Sequence, residues 1–217
     1  MMNDFLVFGA SGLTGSHFLN EIKERGKGFH LFNRELMENE STENQTLFNS
    51  ENLPEFPDAK NLVICIGYPL DFLELIFMPK EKKQIFTSID LDLVVKVAKK
   101  AYKKNIQNIL VISAVGANKS SLNFYLKTKG IMEEEVRKIG FKTILFARPG
   151  HLLGPRDKSR VDIFVKLIEF FGNIFSFMYI GPLKKYKNIS AKTVAKDLYC
   201  SFEQEQSVSE IISYERV

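Results

Sequence analysis

Apolar residues in this chain fall in short unbroken runs, separated by longer amphipathic stretches, and glycine or proline marks most of the changes. Phe5, Leu6, Val7 and Phe8 form the first run and read as a buried strand. Residues 13–25 carry a helical period that stops at Gly26 and Gly28. A second strand is predicted over 29–33, a polar loop over 35–44, and a short strand over 46–48. Pro54 and Pro57 punctuate the next connection, and 62–66 reads as a fourth strand ending at Gly67. A loop over 68–84 leads to a long amphipathic helix over 85–105, with Leu91, Val94, Val95 and Ala98 as its buried face. Strand 109–112, helix 123–139 (stopped by Gly140) and strand 143–147 follow, closed by Arg148-Pro149-Gly150. Beyond Gly150 the rhythm breaks, with a helix over 193–202 and a terminal strand over 211–214.

Strands thus alternate with helices, and each strand is a continuous apolar run, buried on both sides. That pattern predicts an α/β, Rossmann-type doubly wound parallel sheet with helices on both faces. The 217 residues suit a single domain. The expectation is one Rossmann domain over 1–217, with 151–217 adding a small substrate-side lobe.

Directly after the first strand comes Gly9-Ala10-Ser11-Gly12-Leu13-Thr14-Gly15, with glycines at three-residue intervals. Between a strand and a helix, this spacing is that of a dinucleotide-binding loop. Gly9 permits the turn, Gly12 lets the backbone approach a pyrophosphate, and Gly15 lets the helix pack close to the sheet. The helix start, with Leu13, offers free N–H groups to the phosphates, and Ser11 and Thr14 are candidate hydroxyl donors beside it. At the end of the second strand, where an acidic residue would bind a ribose 2′-hydroxyl, the chain has Asn33-Arg34. Arg34 suits a 2′-phosphate, so NADP(H) is preferred, with NAD(H) also admissible.

Ser113 ends the fifth strand, on the side where open parallel sheets bind ligands. Tyr125 and Lys129 lie four apart, on one face of the next helix. Ser113 is expected to hydrogen-bond a substrate carbonyl. Tyr125 is expected to deliver or remove the proton, and Lys129 to favour its phenolate and hold the nicotinamide ribose. Glu21, Glu133 and Glu134 read as solvated helix-surface carboxylates.

These residues resemble the short-chain dehydrogenase/reductase superfamily. More narrowly, they resemble its atypical branch related to Tat-interacting oxidoreductase-like proteins. The likeness runs through FGASGLTG, IDLDLVVKVAKKAYKKNIQNILVISAVGAN, NFYLKTKGIMEEEVRKIGF and ARPGHLLGPR. It implies NADP(H) and a Ser113–Tyr125–Lys129 set. It also implies that Arg148, Pro149 and Gly150 close over the nicotinamide, and that Cys65, Ile66 and Gly67 lie along the cofactor. One departure is evident: the superfamily commonly has an asparagine on the long central helix, where this chain has Asp90 and Asp92.

Composition changes the picture little. The chain is 45% hydrophobic with a net charge of +4, an ordinary globular balance without the basic stripe of a nucleic-acid binder. The lysines at 99, 100, 103 and 104, and at 184, 185 and 187, read as solvated surfaces. Cys65 and Cys200 form no CxxC pair, and His17, His30 and His151 have no ligand spacing, so no metal is assigned. The most apolar long segment, 161–183, is interrupted by Lys166, Glu169 and Asn173 and makes a poor membrane span. Without a secretory signal, a cytoplasmic location is expected. The Phe-rich stretch 161–179 reads as core packing, an apolar lid or a partner surface.

The leading expectation is an NADP-dependent oxidoreductase acting on a small carbonyl or alcohol substrate, which the lid reading would make apolar. A homo-oligomer stays open. A non-catalytic NADP(H)-binding sensor or scaffold is the alternative. A nucleotide-sugar epimerase is weaker, because few residues remain after Gly150.

Overall fold

Alternation within β1 (Asn3–Phe8) sets the two-sided character of the sheet. Phe5 and Val7 pack with Phe18, Leu19 and Ile22 of α1 (Leu13–Glu24) on one face. Leu6 and Phe8 pack on the other face, with Val94, Val97 and Ala98 of α4 (Val94–Lys103) and Met132 and Val136 of α5 (Phe124–Arg137). Each fully buried Phe or Val contributes about 1.5–3 kcal/mol, so a sheet apolar on both sides is stable only with helices on both. The computed structural model describes residues 2–149, 152–153, 189–203 and 210–213. Gly150 and the segment 161–179 lie outside them, as do the lysines at 184, 185 and 187.

The remaining strands are β2 (Phe29–Asn33), β3 (Gln45–Leu47), β4 (Ala59–Ile64), β5 (Asn108–Ile112), β6 (Thr143–Arg148) and β9 (Glu210–Ser213), with a separate short parallel pair, β7 (Leu152–Leu153) and β8 (Ile189–Ser190). The main sheet has seven strands in the order β3-β2-β1-β4-β5-β6-β9, and every pairing is parallel. The chain steps outward from β1 to β3, then returns to the other side of β1 with β4. A crevice opens at that reversal, beyond the carboxyl ends of the strands.

α6 (Ala191–Glu203) packs beside α1 on the Phe5 face. The Tyr199 ring lies 5.9 Å from Phe5, and the Arg25 guanidinium sits 4.2 Å above it. With β9 beside β6, both elements belong to the sheet domain, so a substrate-side lobe over all of 151–217 is too broad an expectation.

Three local readings are corrected. β4 begins at Ala59 and ends at Ile64, so Cys65 and Ile66 are not part of the strand; their apolar character, which extended the sequence reading, serves a cleft wall. The expected loop 68–84 contains α2 (Phe72–Ile76) and the start of α3 (Lys80–Thr87). Asp71 and Glu74 form a reciprocal capping box at α2, a signal present in the sequence. The long helix then passes through a π-helical turn, Ser88–Leu93, before α4. That turn accommodates an extra residue and rotates the buried stripe to Leu93, Val94, Val97, Ala98 and Ala101, leaving Leu91 and Val95 at its edge.

Lys100 and Lys104 both pair with Glu55, which offsets one of their two charges. Among the described residues, no helix is long and apolar enough to cross a membrane.

Candidate functional site

Gly9 leaves β1 with φ +83°, and a Cβ there would meet the Cys65 carbonyl carbon at 2.9 Å. Gly15 is tighter still: a Cβ would lie 2.1 Å from the Gly9 carbonyl oxygen. These contacts press the first turn of α1 against the ends of β1 and β4. Gly12 caps the helix in extended conformation, with no side chain bonded to the free N–H groups and no acidic residue in the first turn. Phosphates bind such a terminus through its N–H groups and its dipole.

Beside this terminus lies a cleft of about 490 Å³. Gly12, Leu13 and Thr14 form its glycine-loop side; Cys65, Ile66 and Gly67 follow from the end of β4. Ser113 comes from just beyond β5, Tyr125 and Lys129 from α5, and Pro149 from beyond β6. Tyr68, Leu70, Leu75 and Asp90 complete the wall. Ser113 is placed by its N–H, which donates to Ala147 O at 2.7 Å. The start of α5 is fixed by Asn123, whose Oδ1 accepts from Leu126 N–H at 2.9 Å and whose Nδ2 donates to Leu75 O at 2.8 Å. Phe86 packs on the Tyr125 ring at 5.5 Å.

Two ionic arrangements hold the cleft, and the sequence reading missed both. Lys129 Nζ pairs with Asp90 Oδ1 at 2.8 Å and donates to Ile112 O at 3.2 Å. The other Asp90 oxygen accepts from Tyr68 N–H at 2.7 Å. Of the two candidates on this helix, Asp90 lines the cleft, while Asp92 is exposed.

The second arrangement centres on Glu133, which is 1% exposed. Its carboxylate accepts from Ser113 Oγ at 2.5 Å, from Arg148 Nε and Nη2 at 2.8 and 2.5 Å, and from Arg137 Nη2 at 3.1 Å. Glu133 is thus not a solvated surface carboxylate. Its signal was its place one turn beyond Lys129, on the face shared with Tyr125. Glu21 is likewise buried, and is ion-paired to Arg25. Arg148, expected to close over the nicotinamide, has its guanidinium committed to Glu133 and does not line the cleft.

The electrostatics follow from enclosure. Burial pushes the Tyr125 phenol above its ordinary pKa; Lys129 opposes this and Asp90 adds to it. Burial works against the Lys129 ammonium, but Asp90, Tyr125 and Glu133 outweigh it and raise its pKa. The expected phenolate-favouring effect of Lys129 is therefore countered in this cleft. Burial pushes the Cys65 thiol up to about 12, so it stays neutral.

Asn33 is buried at the end of β2, and its side-chain Oδ1 and Nδ2 have no partner among the described residues. Arg34 beside it is exposed and makes no ion pair among them. Gly9, Ser11, Gly15, Asn33 and Arg34 do not line the cleft itself, and Gly150 lies outside the described residues. An uncapped helix start, a cradle that any Cβ would fill and an orphaned buried amide together fit a dinucleotide.

Fold and cleft together define a short-chain dehydrogenase/reductase-type Rossmann protein. The chain is 30% identical to FMP52 of Saccharomyces cerevisiae over 169 residues, covering 71% of this chain and 68% of that protein. It is 30% identical to HTATIP2 of Rattus norvegicus over 179 residues, covering 77% and 70%. The match to FMP52 of Debaryomyces hansenii is 37% over 89 residues, 41% of this chain and only 39% of that protein. The chain belongs to the atypical short-chain dehydrogenase/reductase family of these relatives. No family model matches it.

Solved structures share the fold at low identity. MoeE5 in complex with UDP-glucose and NAD has a TM-score of 0.69 at 13% identity, covering 96% of this chain and 74% of that one. The human epimerase family protein SDR39U1 with NADPH has a TM-score of 0.67 at 15% identity, covering 96% and 72%. The expected cytoplasmic location is overturned by the relatives, since the FMP52 proteins are named as mitochondrial.

Proposed function

We propose that this protein is an NADP(H)-dependent oxidoreductase acting on a small carbonyl or alcohol substrate. The observation that carries the reading is the convergence of the α1 N-terminus, Ser113, Tyr125 and Lys129 on one cleft. The free N–H groups of α1 bind the pyrophosphate, with Asn33 and Arg34 at the adenosine end. A bound reduced nicotinamide supplies the hydride. Tyr125 donates its phenolic proton to the substrate oxygen, and Lys129, held by Asp90, lies within the same cleft to bind the ribose hydroxyls. Ser113 gives its own hydrogen to Glu133, so its oxygen meets the cleft as an acceptor. That differs from the expected donation to a carbonyl, a role that falls to Tyr125. The cleft walls at Ile66, Leu70, Leu75 and Val115 suit an apolar substrate body. Any substrate-side contribution from 151–217 excludes 191–203 and 210–213, which build the sheet domain.

Calorimetric titration with NADPH and NADH tests the cofactor. Arg34→Ala is expected to weaken NADPH roughly tenfold or more, as loss of a charge-assisted contact, while leaving NADH unchanged. In a screen of carbonyl substrates, Tyr125→Phe is expected to lose about 10²–10⁴-fold in turnover with dinucleotide affinity retained. Binding without turnover on any carbonyl would favour the sensor or scaffold reading, and no binding of either dinucleotide would overturn both.

A further inference from the structure

We propose that Asp90 is a positioning residue which, by pairing with Lys129 and tethering Tyr68, holds the Lys129 ammonium in the cleft and offsets part of its charge beside Tyr125. The inference rests on the oxidoreductase reading above and adds a residue to it.

Both Asp90 oxygens are used. One holds Lys129 Nζ at 2.8 Å, with side-chain exposures of only 2% for Asp90 and 5% for Lys129. The other accepts from Tyr68 N–H at 2.7 Å and anchors the cleft wall that runs on from Cys65. The π-helical turn makes this double contact available, because it places Asp90 in the cleft while Asp92 stays exposed. An ordinary helical turn would carry the buried stripe past this point without the extra residue.

The pair has an electrostatic consequence. In an enclosed site, a lysine ammonium alone would pull a neighbouring phenol towards phenolate. Asp90 offsets part of that pull. The other groups facing Tyr125 add little charge: Phe86 from α3 is an aromatic ring, and Cys65 beyond β4 is a neutral thiol. Glu133, farther along α5, is taken up by Arg148 and Arg137. Tyr125 accordingly has its pKa raised by burial, with the Asp90 carboxylate adding to the shift.

At neutral pH Tyr125 therefore holds its proton. In the reductive step the Tyr125 O–H bond breaks, the proton passes to the substrate carbonyl oxygen, and the carbonyl carbon receives the hydride of the reduced nicotinamide dinucleotide.

The test is a tyrosinate absorbance titration of the dinucleotide-free protein, read as wild type minus Tyr125→Phe. The Asp90→Asn variant is read against Asp90→Asn/Tyr125→Phe in the same way. Wild-type Tyr125 is expected to titrate above the ordinary tyrosine value of about 10. Asp90→Asn, which keeps an oxygen for Tyr68 N–H, is expected to lower the midpoint by on the order of one pH unit. A wild-type midpoint below about 10, or an Asp90→Asn midpoint that stays or rises, overturns the proposal. The wild-type measurement decides even if the variant does not fold. Dinucleotide binding, titrated separately, reports on the oxidoreductase reading, so the two can fail independently.

Discussion

Asp90 and Lys129 form an ion pair of 2.8 Å in which both side chains are almost wholly enclosed, joining a π-helical turn to the middle of α5. Neither charge is tolerable there alone. The pair exists because the β4–β5 side of the sheet brings two separate helices against the same cleft.

Lys129→Met leaves a buried, unpaired carboxylate and is expected to destabilise the fold by about 3–5 kcal/mol at neutral pH, measured by urea unfolding. The dependence on pH has a definite sign. The folded pKa of Lys129 lies above its ordinary value, so its contribution is whole below the unfolded lysine pKa of about 10.4 and is lost as pH rises through the folded value. The stability gap between wild type and Lys129→Met should therefore hold from pH 7 to 9 and close only above about pH 10. A gap that closes already between pH 7 and 9 counts against the pairing.

Glu133→Ala strands the Arg148 and Arg137 guanidinium groups and deprives Ser113 of its acceptor. The expected loss is about 3 kcal/mol. Glu133→Gln keeps an oxygen for Ser113 but removes the charge, and is expected to cost less. A Glu133→Gln variant as stable as wild type, in parallel urea titrations, would show that the ionic contacts contribute nothing.

Gly15→Ala places a Cβ 2.1 Å from the Gly9 carbonyl oxygen, a backbone atom that has no room to yield. The first turn of α1 must then move off β1. A loss of about 1–3 kcal/mol is expected, together with weaker dinucleotide binding in calorimetry. Wild-type affinity in this variant would show that the close approach of α1 is not what forms the phosphate site.

Much of this molecule follows from local pattern. The runs Phe5–Phe8 and 109–112 read as strands buried on both sides, because they are short, apolar at every position and set between helical stretches. Gly9, Gly12 and Gly15 between a strand and a helix specify a tight turn into an open helix end. Tyr125 and Lys129, four apart, share a face of whichever helix carries them. These features depend on covalent geometry and on periods of a few residues, which the order of amino acids determines directly.

The partners of the charged groups do not follow in this way. On its own helix Glu133 reads as a solvent-facing carboxylate, and nothing local distinguishes Asp90 from Asp92. Burial was decided by what the sheet brings opposite them: Lys129 from another helix for Asp90, and Ser113 from just beyond β5 and Arg148 from β6 for Glu133. The π-helical turn that admits Asp90 has no period that the sequence displays. A charge enters an enclosed site only where an opposite charge and hydrogen-bond donors meet it, and that meeting exists only after the sheet has formed. The sequence by itself determined the strands, the glycine turn and the Tyr125–Lys129 face; the tertiary structure alone decided which carboxylates could be buried against them, because only there are the compensating charges within reach.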